Sequence, residues 1–295
     1  MSTVEALGSG KGHKDENFPV ASFILHRQHR AVIMAFYRFA RAADDVADNA
    51  EAPADRKIAL LDAMGATLAG AADDNPEALA LRAALKNHAL SQAHAQDLLR
   101  AFRQDAVKRR YADWPELMDY CRYSASPVGR FVLDVHGESD ALWPMNDALC
   151  TALQVINHLQ DCAEDYREID RVYLPEDDLA HAGIGVEARS AASASTPLRK
   201  VIMELAARTS GLLRESRPFA SAIRDRRLAL EVAIIQRLAE SLTLRLMRKD
   251  PLCERVHHKP WEALGLLILA AGDRLTGRGR SASGALHLVA GTDVR

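Results

Sequence analysis

The chain has 295 residues, 48% of them apolar and only 5% aromatic, and a formal net charge of −2. That apolar share supports a sizeable core, and the near-neutral charge gives no electrostatic footprint for a nucleic acid. Four cysteines without C-x-x-C spacing outline neither a zinc site nor a disulfide framework.

The elements are read in chain order. Residues 1–17 are rich in Gly and Lys and are expected to form a flexible segment. Too few apolar residues follow Met1 for a signal peptide. Residues 21–47 lack Pro and Gly and space their apolar side chains as a helix does. The same periodicity predicts helices near 54–72, 76–90, 92–111, 114–122, 127–137 and 146–168. Pro115 suits a first helical turn. Residues 170–197, with Pro175, Gly183, Gly185 and a Ser/Ala-rich tract, read as irregular. Helices resume near 198–217, 222–249 and 260–275, and a flexible tail, 277–295, follows. No stretch alternates as a strand would. The expectation is an all-α, single-domain helical body over 18–276. The longest apolar run, 263–271, is about half the ~20 residues that cross a bilayer. A cytoplasmic protein that at most rests against a membrane is expected.

Two acidic clusters carry the chemistry. In Ala42-Ala43-Asp44-Asp45-Val46-Ala47-Asp48, Asp44 and Asp48 share a helix face, ~6 Å apart along the axis. Like charges at that spacing repel, and a hard divalent cation offsets the repulsion by accepting carboxylate oxygens. With 40 acidic residues in the chain, one such pair also fits a solvated helix face. Its apolar surroundings favour a site. The second cluster places Gln154, Asn157, Asp161 and Asp165 along one stripe amid Val, Ile and Leu, an oxygen-rich wall rather than a core face. Two such helices facing each other would hold Mg²⁺ between carboxylates and phosphate oxygens and assist departure of a diphosphate.

At these residues the sequence resembles the squalene/phytoene synthase family. The matching positions are Tyr37, Arg41, Asp44 and Asp48, then Gln154, Asn157, Asp161 and Asp165, then Arg171-Val-Tyr173-Leu-Pro175. Three finer segments resemble the hydroxysqualene synthase branch of hopanoid biosynthesis: 16–22, 123–130 and 157–168. The resemblance implies an isoprenoid synthase helical bundle with a central apolar cavity. It implies Mg²⁺ as cofactor, held by Asp44, Asp48, Asn157, Asp161 and Asp165, with the four aspartates as catalytic residues. The implied reaction is ionisation of presqualene diphosphate, with water capturing the rearranged cation to give hydroxysqualene. A sister activity, joining two farnesyl diphosphates to presqualene diphosphate or squalene, or two geranylgeranyl diphosphates to phytoene, is the nearest alternative. A non-catalytic helical assembly factor is the alternative from another class. An apolar substrate and product further imply peripheral membrane contact and other squalene-pathway enzymes as partners.

The expected substrate-binding set is Phe18, Tyr37, Arg41, Arg130, Gln154, Arg171 and Tyr173. Each has a plainer reading beside it. Arg41 could pair with Asp45 one turn on, Tyr173 and Phe18 could simply pack, and Arg130 could be a surface arginine. His158 points about 100° away from Asn157 and reads as a histidine hydrogen-bonded to a neighbouring helix. Two departures mark the chain within the family. Gln160 stands where many relatives carry Arg, so a neutral amide replaces a charge. Asp15-Glu-Asn17-Phe18 replaces a Ser-x-Ser-Phe segment.

Overall fold

Helix α1 (Arg27–Asp48) buries Val32, Phe36, Phe39, Ala43 and Val46, three- and four-residue steps that lay one apolar stripe along its length. The computed structural model describes residues 26–258, and every regular element among them is a helix. The expected ends, 1–17 and 277–295, the expected helix 260–275 and Phe18 lie outside the described residues.

Local chemistry explains most of the boundaries. Helix α2 (Ala54–Ala69) stops at Gly70, whose φ of 86° is open to glycine at little cost. Helix α3 (Pro76–His88) starts behind Asn75, whose side chain accepts from the Ala78 N–H at 2.8 Å. Helix α4 (Ala93–Val107) precedes α5 (Trp114–Ser124), where Asp113 caps the Glu116 N–H at 2.8 Å and Pro115 lies in the first turn. Then come α6 (Ser126–Val135) and α7 (Trp143–Gln160).

Three expectations are corrected here. The helix expected over 146–168 is two helices, α7 and α8 (Cys162–Ile169), separated at Asp161 (φ −100°, ψ 7°). Aspartate favours helix ends over interiors. The break is shallow, because Asp161 N–H donates to Asn157 C=O at 2.9 Å and Asp165 N–H to Asp161 C=O at 2.8 Å. The region 170–197 contains a short helix, α9 (Glu176–His181), and a 3₁₀ turn, Val186–Ser190. Residues 108–112 are not helical; their carbonyls accept from the segment after α8, with Val172 N–H on Arg109 C=O and Glu176 N–H on Tyr111 C=O, both at 2.9 Å.

Helices α10 (Thr196–Ser216), α11 (Phe219–Ala222) and α12 (Arg226–Leu246) complete the described bundle. Helix α7 is its axis and packs against α5, α6, α10 and α12, while α1 packs against α2, α3, α4 and α6. One continuous apolar core links both groups. No helix among the described residues is long and apolar enough to cross a membrane.

At Gly129, α6 approaches α7 closely. A methyl group there would overlap Asn146 Oδ1 and stand 2.6 Å from Cys150 Sγ, both on α7. Asn146 is itself buried and donates to Ser126 C=O at 3.2 Å, so it has little freedom to yield. Gly129→Ala is therefore expected to destabilise the protein by ~1–3 kcal/mol through overpacking. Urea unfolding measures this, and an unchanged midpoint would contradict the packing described.

Candidate active site

Between α1, α6, α7 and α12 lies a cavity of ≈ 360 Å³, within the range of small-molecule sites. Its polarity changes along its length. On α1 the lining runs from Ile33 and Phe36 to Tyr37, Arg41 and Asp44; on α7 it runs from Leu149 and Leu153 to Gln154 and Asn157. Each of these stretches covers ~12–16 Å of helix axis. Both helices thus turn from apolar to polar toward their C-terminal ends. Phe36 and Phe131, with ring centroids 4.0 Å apart, stack in the apolar wall.

Of the four expected catalytic aspartates, Asp44 lines the cavity, while Asp48, Asp161 and Asp165 stand outside its lining; these carboxylates burden one another. Asp44 is raised well above the ordinary carboxylate range, first by burial and then by the charge of Asp48, with Arg41 opposing. Its side chain keeps 36% exposure, so water at the cavity mouth moderates that rise. Asp165 is raised to about 8 by burial, then by Asp161 and Asp48. Asp48 therefore acts on an aspartate of each motif, and the four expected catalytic carboxylates form one electrostatic group. Asp161 also borders a neighbouring recess that Glu164 and residues 251–257 line. Gln160 faces the same recess, and its amide donates to the Val256 carbonyl.

Arg171 joins the two motifs physically. Its guanidinium donates to Asp48 Oδ1 at 2.7 Å, while its backbone N–H donates to Asp165 C=O at 3.1 Å. The side chain is only 3% exposed, and a buried charge requires partners. It finds them in Asp105 of α4, whose carbonyl accepts at 3.0 Å and whose carboxylate lies 3.8 Å from Nε. Asp105 in turn accepts from Tyr120 OH at 2.8 Å and Tyr173 OH at 3.4 Å. Burial raises the Asp105 carboxyl to about 7, against the lowering effect of Arg171 and the two phenols. Sequence reasoning missed Asp105. It sits in the last turn of α4 amid Arg, Gln and Lys, where an acidic side chain reads as surface.

Several expected contacts are placed elsewhere by the structure. Tyr173 does not line the cavity. It is buried between Tyr111 and His158, with ring centroids 5.5 and 3.4 Å away. His158 is a stacking partner instead of a hydrogen-bonded histidine, and burial, reinforced by Arg171, lowers it to about 3. Arg130 also lies outside the cavity lining. It forms a two-armed pair with Asp147 and lies 4.5 Å from the Trp143 ring centre. Arg41 does line the cavity, and it bridges Asp44 and Asp45 at 3.0 Å each.

The bracket around Arg171 makes a pH-dependent prediction. Asp105 titrates higher in the fold than its ordinary 3.8, so the folded state keeps a proton the unfolded chain has released. Its contribution to stability is fully present at low pH and fades as pH rises through about 7. Arg171→Met removes the buried countercharge and is expected to cost ~3–5 kcal/mol at pH 8. At pH 6 the cost is smaller, because Asp105 takes up a proton. Urea unfolding at both pH values tests this; an equal loss at each would show that Asp105 does not titrate.

The squalene/phytoene synthase profile matches residues 11–262. The chain is 56% identical over 272 residues to a hydroxysqualene synthase of Zymomonas mobilis, covering 92% of each protein. It is 52% identical over 262 residues to one of Rhodopseudomonas palustris, covering 89% of this chain and 90% of that protein. Among solved structures, the squalene synthase HpnC from Alicyclobacillus acidocaldarius superposes with a TM-score of 0.66 at 30% identity, covering 93% of both chains. A ligand-bound dehydrosqualene synthase superposes with a TM-score of 0.76 at 22% identity, covering 89% of this chain and 93% of that one, and shares the fold. With this fold, and with Asp44 and Asn157 at the polar end of a largely apolar cavity, the chain belongs to the squalene/phytoene synthase family.

Proposed function

We propose that the protein ionises presqualene diphosphate and captures the rearranged cation with water, yielding hydroxysqualene and diphosphate. The observation that carries this reading is a largely apolar cavity with Arg41, Asp44, Gln154 and Asn157 at one end, in a chain whose curated relatives over most of its length are hydroxysqualene synthases. A prenyl diphosphate has the matching polarity. Its charged head belongs with Asp44 and Asn157, and its hydrocarbon belongs against Phe36, Phe131 and Leu149. Burying that hydrocarbon contributes roughly 0.8 kcal/mol per methylene.

The donor set fits Mg²⁺. Asp44, Asp48, Asn157, Asp161 and Asp165 offer only oxygens, the ligands a hard cation takes. Two of the carboxylates, Asp44 and Asp165, hold their protons above the ordinary range, mainly through burial and mutual repulsion. When bound, Mg²⁺ supplies charge neutralisation for the departing diphosphate. The residues of the chain do the rest. Arg41, facing the cavity between Asp44 and Asp45, offers guanidinium donors to a diphosphate oxygen. Arg171 keeps Asp48 beside Asp165. The apolar walls exclude bulk water while the cation rearranges. Because substrate and product are apolar, the protein is expected to work at the cytoplasmic membrane surface and pass its product to a partner enzyme of the squalene pathway.

The test is turnover of the purified protein with Mg²⁺ and no nicotinamide, followed by product mass. Presqualene diphosphate is expected to give the alcohol, and Asp161→Asn is expected to lower turnover at least a hundredfold. Consumption of farnesyl diphosphate, with presqualene diphosphate left intact, would instead establish the condensing sister activity. A wild-type protein inert toward every prenyl diphosphate would be a scaffold.

A further inference from the structure

Helix α12 carries neither acidic motif, yet it contributes a carboxylate to the cavity. Leu228, Glu231, Val232 and Ile235 of α12 all line it. They are spaced three, four and seven residues from the first, the signature of a single helix face. Three of the four are aliphatic. Glu231 therefore occupies a position on an apolar stripe, and only 5% of it is exposed. Burying a carboxylate costs free energy that a leucine at the same position would not. Its carboxylate enters the cavity from α12, a wall that carries neither acidic motif.

We propose that Glu231 is a catalytic residue: it holds the water that captures the cation and accepts the proton that this water loses. The inference rests on the reaction proposed above and assigns the step that the acidic motifs leave open. Once diphosphate has left with the bonding electron pair, the cavity holds a carbocation. A lone pair on the water oxygen forms the new C–O bond. One water O–H bond breaks, its electron pair stays on oxygen, and its proton moves to a Glu231 carboxylate oxygen. The products are a neutral alcohol and a neutral carboxylic acid, and the acid returns its proton to solvent before the next turnover. Without this carboxylate, the cation's nearest exit is loss of a proton from carbon to the departed diphosphate, which gives a hydrocarbon lighter than the alcohol by one water.

The experiment compares the wild-type protein with Glu231→Gln and Glu231→Leu, using presqualene diphosphate and Mg²⁺ in ¹⁸O-labelled water. Diphosphate release and product mass are read in parallel. The wild type is expected to give alcohol carrying the label. Both variants are expected to release diphosphate within a few-fold of wild type while their alcohol share falls at least tenfold and the lighter hydrocarbon appears. An unchanged alcohol share in the near-isosteric Gln variant would overturn the assignment alone. So would a parallel loss of diphosphate release and alcohol in a Gln variant that unfolds at the wild-type temperature, since that pattern marks a merely structural role. Should the Leu variant fail to fold, the Gln variant decides. A wild-type protein that makes no alcohol overturns the reaction itself, and this assignment with it.

Discussion

Charge of one sign gathered at helix ends that already carry it is the constraint around which this bundle is arranged. Asp44 and Asp48 occupy the last turn of α1, and Asp161 stands at the C-terminal cap of α7. A helix C-terminus bears a partial negative charge that favours cations, so Asp44 and Asp48 sit at the unfavourable end, whereas Asp161 also caps the N-terminus of α8. The fold answers with cations of its own. Lys57 of α2 is buried and donates to Ala47 C=O at 2.9 Å, capping α1 with an ammonium that α1 lacks in its own last turn. Arg171 reaches Asp48 from the segment after α8. These two are not sufficient, since Asp44 and Asp165 still hold protons above the ordinary range. What remains is a standing demand for further positive charge at the cavity mouth.

Arg171 can meet its part of that demand only because distant parts of the chain hold it. Asp48 comes from α1, Asp105 from α4, Tyr120 from α5, and Tyr173 follows Arg171 by two residues. Tyr111, Tyr120 and His158 pack around Tyr173 and keep its hydroxyl aimed at Asp105. A buried polar network of this kind is stable only when its members are mutually satisfied. Geometry at the acidic end is thus a property of the whole bundle, and a change in α4 or α5 should be felt at Asp48.

The sequence disclosed the motifs and concealed this frame, for a physical reason. Asp44/Asp48 and Asp161/Asp165 are legible because helical periodicity makes a four-residue spacing meaningful, and an apolar setting makes repeated acids anomalous. The bundle was legible because apolar periodicity dominates nearly every segment. Asp105 and Lys57 sit on helices beside other charged residues, and only tertiary packing reveals that they are buried. Glu231 is hidden similarly, because Glu231 and Glu240, nine residues apart in an Ala- and Leu-rich helix, make no motif. Arg130 is hidden likewise: only the fold turns it to Asp147, beside the close seating of α6 on α7 at Gly129. Residues 172–177 looked irregular because their order comes from backbone hydrogen bonds to residues 109–112, a pairing without periodicity.

A cavity that generates a carbocation and then admits water must separate the two in space or in time. The polar end cannot hold the capturing water safely, because ionisation occurs there and an adjacent nucleophile would quench the cation before it rearranges. The Phe36–Phe131 stack in the apolar wall offers no hydrogen bonds to keep a water in place. A buried water needs two or more polar partners. A buried carboxylate on α12, the wall that carries neither motif, gives a water an anchor outside the two motifs while preserving apolar walls elsewhere. Helix α12 packs on α7, so that anchor shares a helix neighbour with Asn157. The placement of acids in this fold therefore encodes an order of events: departure at the helix ends of α1 and α7, then capture from the flank.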